Sequence, residues 1–380
     1  MKVTIIGAGI GGLTAALALS RRGVDVKLFE RAEEILPLGA GLSLWGNAVA
    51  CLSELGLKEA LFGLGRQIDT IEIRTKTGDV LVRVPMQRVT RSIRHASVCI
   101  ERAALQQMLV AALPLGVLHL GCELISFKQN HAGSSAQFAN GRVEQSDWLI
   151  GADGLHSTIR AHLVQDGPPQ YAGYGGWLGI ARFEDETLPV GHAIETWGRG
   201  ERFGMLYCGE GLTYWFCPTN RREPLGAVKR GKKSDLLDVV HDWHAPIPAV
   251  IAATDEQRIV ELSFFDREPL RKWTHGRISL LGDAAHPMTP NMGQGACQAI
   301  EDAVTLSECL CSNADSPSGL QAYEKQRIKR TTKFVRKSRL LGRFLQNENA
   351  LLCWARNSLA KLTPADVHVG QMIDQFKRST

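Results

Sequence analysis

With 380 residues the chain exceeds one ordinary domain, and its 44% hydrophobic content supplies a large core, so two closely packed domains are expected. A net charge of +5 is too mild to argue for nucleic acid, and nine cysteines, an odd number without a C-x-x-C pair, speak against a disulfide framework or zinc site. They read as reduced core thiols of a cytoplasmic protein. The first 20 residues carry one Lys and a long apolar stretch, as a signal peptide does, but their glycine spacing has a better explanation, and no later segment is long and apolar enough to span a bilayer.

In chain order, residues 3–6 ("VTII") form a β-branched run without a polar face, which predicts a central parallel strand covered on both sides. "GGLTAALALSRRG" then predicts a helix with cations in its last turn and Gly23 at its C-cap, and "DVKLFER" returns to an extended pattern. These 31 residues predict a βαβ unit opening a doubly wound sheet. A helix around Asn47–Glu54 precedes "IDTIEIRTKTGDVLVRVP", whose alternation about Thr-Gly-Asp predicts a hairpin. "IERAALQQMLVAAL" reads as an amphipathic helix, "DWLIGADG" as a strand entering a glycine turn, and Tyr171 to Phe265 as mainly strand. At "GRISLLGDAAH" the buried strand and glycine turn return.

The expected organisation is α/β: a discontinuous Rossmann-like nucleotide domain from residues 1–68, 95–170 and 270–320. A mostly β substrate domain (69–94 and 171–269) is inserted twice, and a C-terminal helical segment (321–380) follows.

Gly7, Gly9 and Gly12 form G-x-G-x-x-G after a strand and at the start of a helix, with Glu30 closing the next strand. In this pattern Gly7 permits the tight turn, Gly9 lets the backbone approach a pyrophosphate, and Gly12 allows close helix–strand packing. The helix N-terminus favours phosphate charge, while Glu30 accepts from ribose hydroxyls; Gly11 and Arg31 flank this candidate cradle. The pattern leaves FAD and NAD both open, since each carries an ADP moiety.

Two further stretches, "GADGLHSTIR" (151–160) and "GDAAHPMTP" (282–290), each end a strand. With the N-terminal fingerprint, in this order, they resemble the three signatures of single-component FAD-dependent monooxygenases of the salicylate, para-hydroxybenzoate and urate hydroxylase type, over roughly residues 1–345. The resemblance implies a GR2-type FAD-binding fold, tightly held FAD, and NADH or NADPH as transient reductant. It also implies insertion of one oxygen atom from O2, through a C4a-hydroperoxyflavin, into a small aromatic, polycyclic or lipophilic substrate, by hydroxylation or epoxidation. Carried over to this chain, it puts Glu30 on the adenosine ribose, Arg102 near the pyrophosphate and ribityl chain, and Asp283 on the ribityl hydroxyls. Asp153, with Ser157 and Arg160, belongs to the motif serving FAD and the pyridine nucleotide; helix capping by Asp153 and an ion pair for Arg160 are the alternatives. Oxidoreductases of this fold that do not oxygenate, such as polyprenyl reductases, and non-catalytic flavoprotein redox sensors are the competing functions.

Gly293 and Gly295 flank Gln294 just before a helix, so free N–H groups should point out of that turn and stabilise the negative charge of reduced flavin. Pro290 would suit a wall at the flavin edge. Trp45, Trp177, Tyr214 and Trp215 are candidates for an aromatic substrate cavity, with plain core packing the favoured alternative for any one of them. Arg202 in "GERFGML" and Tyr214 in "LTYWF" resemble stretches that supply an Arg and a Tyr to urate hydroxylase active sites. Those enzymes have an Asp where this chain has Asn291, which argues against urate. His286 is a candidate base, with a structural role beside the turn as the alternative. No metal-ligand spacing or activated nucleophile is found. Between Lys325 and Arg343 stand nine Lys or Arg and no acid. A helix packed on the nucleotide domain with a solvated basic face is expected there, with attachment to an anionic membrane as the alternative. Monomer and homodimer are both compatible with the sequence.

Overall fold

The computed structural model describes residues 1–35, 40–226, 228–312 and 318–378. The first strand, Lys2–Ile6, lies inside a six-stranded sheet, parallel to Asp25–Phe29 on one side and to Trp148–Gly151 on the other. Trp148–Gly151 in turn pairs in parallel with Ile278–Leu280. Val3, Ile5, Leu149, Ile150 and Ile278 are wholly buried, as expected for a parallel sheet covered on both faces. Chain segments far apart in sequence therefore end side by side, and their carboxyl ends form one edge, the usual ligand edge of such sheets. The helix Ile10–Ser20 packs against the helix Gly295–Ser312 across this edge, and a three-stranded sheet (124–129, 134–138, 143–146) lies beside the main one.

A second, eight-stranded sheet runs in the order 229–230, 260–266, 170–182, 212–220, 202–209, 192–197, 70–75, 80–85. The hairpin expected around Thr77–Asp79 is present, with Gly78 at φ 95°, and it joins the sheet through a parallel pairing of 70–75 with 192–197. Two helices in this region, Lys233–Val240 and Ile247–Ala253, escaped the strand-like reading of the sequence. Their Leu236, Val240, Ile247, Val250 and Ile251 bury one face of the sheet together with Trp177, Phe203 and Trp215. Trp177 and Trp215 are thus core residues of the helix-covered face, not walls of a substrate cavity; Trp215 Nε1 donates to Thr254 Oγ1 (2.9 Å).

Strand alternation sends Arg202, Leu206, Tyr214 and Phe216 to the opposite face, toward a small three-stranded sheet of 41–44, 97–101 and 66–68. The chain closes with helices Ser318–Leu345, Ala350–Leu362 and Ala365–Phe376, so the helical segment begins slightly before residue 321. All nine cysteines are free thiols. No described helix is long and apolar enough to cross a membrane.

Candidate active site

At the strand edge, Gly7 has φ 101°, and a Cβ there would lie 2.5 Å from the Ala152 carbonyl oxygen. A Cβ on Gly12 would lie 1.9 Å from the Gly7 carbonyl, so helix and turn touch backbone to backbone. Gly11 packs under Leu281 and Ala299, serving the helix–helix contact. Gly9 is the exception: a Cβ there meets nothing within 4 Å, because its open side faces a cavity of about 220 Å³ lined by Gly7, Gly9, Glu30, Arg31 and Asp153 among others. Glu30 is fixed at the rim by accepting from the backbone N–H of Ala8 (2.7 Å) and Ala32 (3.0 Å). Asp153 Oδ2 caps the following helix by accepting from Ile159 N–H (3.2 Å), while its buried Oδ1 has no partner; burial raises its pKa. A dinucleotide laid along these residues fits the open glycine and supplies a donor for the orphaned oxygen.

Arg160 does something else. It is wholly buried, and its guanidinium donates to Asp166, to the carbonyls of Ala284 and Ala285 (both 3.1 Å) and to the Glu268 carbonyl. It cross-links the Asp153 turn to the Asp283 turn and presents no face to the cavity.

The Asp283 carboxyl is solvent-accessible although protein crowds around it. Burial raises its pKa, against the pull of His286 and of Arg102. His286 itself is 2% exposed; its Nε2 meets Asp302 Oδ2 at 2.5 Å and its ring lies on Trp273. Asp302 also accepts from Gly282 N–H (3.1 Å), so the His-Pro run turns its imidazole beneath the glycine turn, and a base acting on substrate is not presented there. Farther along, Pro290 and Gly293 are exposed, Gly293 at φ 58°. Gln294 is buried: its Oε1 accepts from Asn47 Nδ2 (3.1 Å) and Gln298 Nε2 (2.8 Å), fixing the start of the Gly295–Ser312 helix, whose first N–H groups have no partner within the helix. Trp45 closes this end. Its Nε1 donates to the Met292 carbonyl (3.2 Å), and its ring stacks on Phe376 at 4.4 Å.

Across from this turn, Arg202 is 2% exposed and donates to Glu195 (2.8 Å), Gln346 (2.9 Å) and Asn291 Oδ1 (2.7 Å). Asn291 Nδ2 donates in turn to Tyr174 OH (2.7 Å) and the Ser338 carbonyl (2.9 Å). Burial raises the Tyr174 pKa, partly offset by Arg202. Tyr214 is not part of this group. It pairs with Leu206, four residues from Arg202, or about 13 Å along the sheet. Between them the Phe216 ring covers Gly204, where a Cβ would come within 2.0 Å of the ring. Burial, beside Cys99 and Cys208, pushes the Tyr214 phenol well above the usual tyrosine range, so it is a neutral hydroxyl. Tyr214 and Phe216 remain partly accessible on a central strand of this face. Phe216 was legible from strand alternation about Tyr214, whereas Tyr174, Glu195 and Gln346 have no local signal. Among the described residues no cluster could hold a metal ion.

A Rossmann-like cradle at the carboxyl edge of a parallel sheet, with a mixed sheet beside it, defines a dinucleotide-binding protein. A family profile described as an FAD binding domain matches residues 1–338. The chain is 39% identical to the aurachin C monooxygenase/isomerase of Stigmatella aurantiaca, over 96% of this chain and 95% of that one. It is 33% identical to an FAD-dependent urate hydroxylase of Mycolicibacterium vanbaalenii, over 89% of this chain and 87% of that one. The crystal structure of Klebsiella pneumoniae HpxO complexed with FAD and uric acid superposes with a TM-score of 0.93 at 28% identity, covering 99% and 96% of the two chains. The chain belongs to the FAD-binding family and is an FAD-dependent monooxygenase, an enzyme type for which NAD(P)H is the typical transient reductant.

Proposed function

We propose that the chain oxygenates a neutral, largely apolar aromatic or heteroaromatic compound, closer in kind to the substrate of the aurachin C relative than to urate. Residues 1–68, 95–170 and 270–320 hold FAD, and 69–94 with 171–269 roof its reactive face. In this reading Glu30 and the open side of Gly9 receive the ADP end, with Arg31 at the rim. Arg102 and Asp283 receive the ribityl chain, and the Gly293–Gly295 turn the flavin edge. Bound FAD supplies the hydride acceptor and the site of O2 activation. Pro290, Phe216 and Tyr214 exclude water from that face.

The observation carrying the substrate class is the amide of Asn291. A pure donor, Arg202, faces its oxygen and a pure acceptor, the Ser338 carbonyl, faces its nitrogen, so an amide fits and a carboxylate would oppose the carbonyl. In this reading residue 291 offers no carboxylate to take a proton from an acidic substrate, and Glu195 is engaged by Arg202.

NAD(P)H oxidation is measured with a panel of neutral heteroaromatics and with urate, and products are analysed by mass in isotopically heavy O2. Neutral compounds are expected to stimulate turnover and gain one labelled oxygen, and Asn291→Asp is expected to lower turnover about tenfold while retaining FAD, given the ~1–3 kcal/mol cost of an opposed buried polar group. Oxygenation of urate as efficient as that of every neutral compound would overturn the reading.

A further inference from the structure

The helix Ala350–Leu362 is inverted relative to an ordinary surface helix. Its inward side holds Cys353 and Arg356; the latter is 3% exposed, donates to the carbonyls of Leu345 (2.9 Å) and Gly198 (2.8 Å), and lies over the Trp197 ring. Its outward side is apolar: Leu351, Leu352, Trp354, Leu359 and Leu362 are between 54% and 80% exposed. At ~100° per residue these side chains and Ala355 sweep about half the helix circumference, interrupted only by Ser358 and Lys361. The helix contains no Asp or Glu. A contiguous outward apolar face of this kind, unlike the exposed apolar residues scattered singly elsewhere, marks an interaction surface.

The preceding helix, Ser318–Leu345, supplies the charge. Arg327, Arg330 and Arg339 turn inward into ion pairs with Glu301, Asp302 and Asp266. Lys325, Lys329, Lys333, Arg336, Lys337 and Arg343 are exposed, spaced mostly three or four residues apart, and none forms an ion pair with a described residue. The stripe runs into Leu340 and Phe344, also exposed, at the end where the next helix begins.

We propose that these two helices form a docking surface for an anionic lipid bilayer: the Leu–Trp face of Ala350–Leu362 enters the interface, lying in its plane, while the lysine and arginine stripe meets the headgroups. An apolar helix face with Trp at its border and adjacent cations is the form such surfaces take. A second copy of the chain fits less well, because a two-fold contact would bring the cationic stripe toward its own image. The inference does not depend on the substrate. It places the active site near the bilayer, since a Cβ on Gly342 would come within 2.6 Å of Asn291 Nδ2, leaving no layer between this helix and the Arg202 group.

The FAD-loaded full chain is floated with phosphatidylcholine vesicles and with vesicles containing phosphatidylglycerol. It is expected to rise with the anionic vesicles alone and to be released by high salt. Lys333→Gln and Lys337→Gln are each expected to lower partitioning about fivefold. Leu359→Ser combined with Leu362→Ser is expected to abolish it, with FAD content unchanged; should that variant lose FAD, the salt response and the lysine variants decide. Absence of binding to anionic vesicles, or equal binding to neutral ones, would overturn the proposal. So would a dimer by light scattering that the leucine substitutions dissociate, which would assign the face to self-association.

Discussion

Gly9 and Gly12 stand three residues apart and differ in what a methyl group would meet. At Gly12 it strikes the Gly7 carbonyl; at Gly9, whose φ of −68° any residue adopts, it enters open space. Gly12→Ala is therefore expected to lower the thermal midpoint of the FAD-free protein, while Gly9→Ala leaves that midpoint unchanged and weakens FAD alone. Flavin fluorescence titration and calorimetry separate the two. Asp283→Ala removes the carboxyl and is expected to weaken FAD at least tenfold, in line with ~1–3 kcal/mol for a lost buried hydrogen-bonding group. Retention of full flavin through gel filtration would show that Asp283 does not face the ribityl chain.

Among the elements, the Gly295–Ser312 helix is fixed from below by charge. Arg327 meets Glu301 (2.5 Å) and Asp302 (2.6 Å), all three buried. Removing the cation leaves Glu301 to Arg330 and Asp302 to His286 and breaks a buried three-way ion pair, so Arg327→Met is expected to cost about 3–5 kcal/mol of stability, read as a lowered urea midpoint. A double change that also makes Glu301 a Gln should recover part of the loss. Nothing in the sequence announced this cluster, although the turn above it was plain. Gly7–Gly12 and Gly282–Gly295 are legible because a glycine turn is a local event. The Arg202 group is not, because Tyr174 and Gln346 reach their partners across 117 and 144 residues. Trp177 and Trp215 took the core alternative for another reason. Alternation places Trp177 and Trp215 on one face, but which face meets the flavin is decided by the helices 233–240 and 247–253, whose short apolar runs also suit strands.

For the molecule as a whole, acid is the expected weakness. Burial alone would raise the pKa of Asp302, but His286 and Arg327 hold it down to about 2. Likewise Lys2, Lys27 and Arg142 hold Glu144 down to about 2 against burial, binding the three-stranded sheet to the main one. Folded pKa values below the unfolded ones mean that the unfolded chain takes up protons first as pH falls. The stability these groups lend is thus complete above about pH 4.5 and lost as pH drops toward 2, about 2 kcal/mol for Asp302. Urea midpoints are expected to fall steeply over that window with little change in m, and a flat profile would contradict the assignment.

The stack of Trp45 on Phe376 joins residues more than three hundred positions apart. A ribosome delivers the first long before the second, and Arg330 then fastens the late segment by donating to the carbonyls of Gln375 and Lys377. Until that moment the indole beside the Gly293–Gly295 turn stands uncovered, so this wall closes only after the whole span from residue 45 to residue 376 has been made, whereas the Gly7–Gly12 turn and its neighbouring strands need far less of the chain.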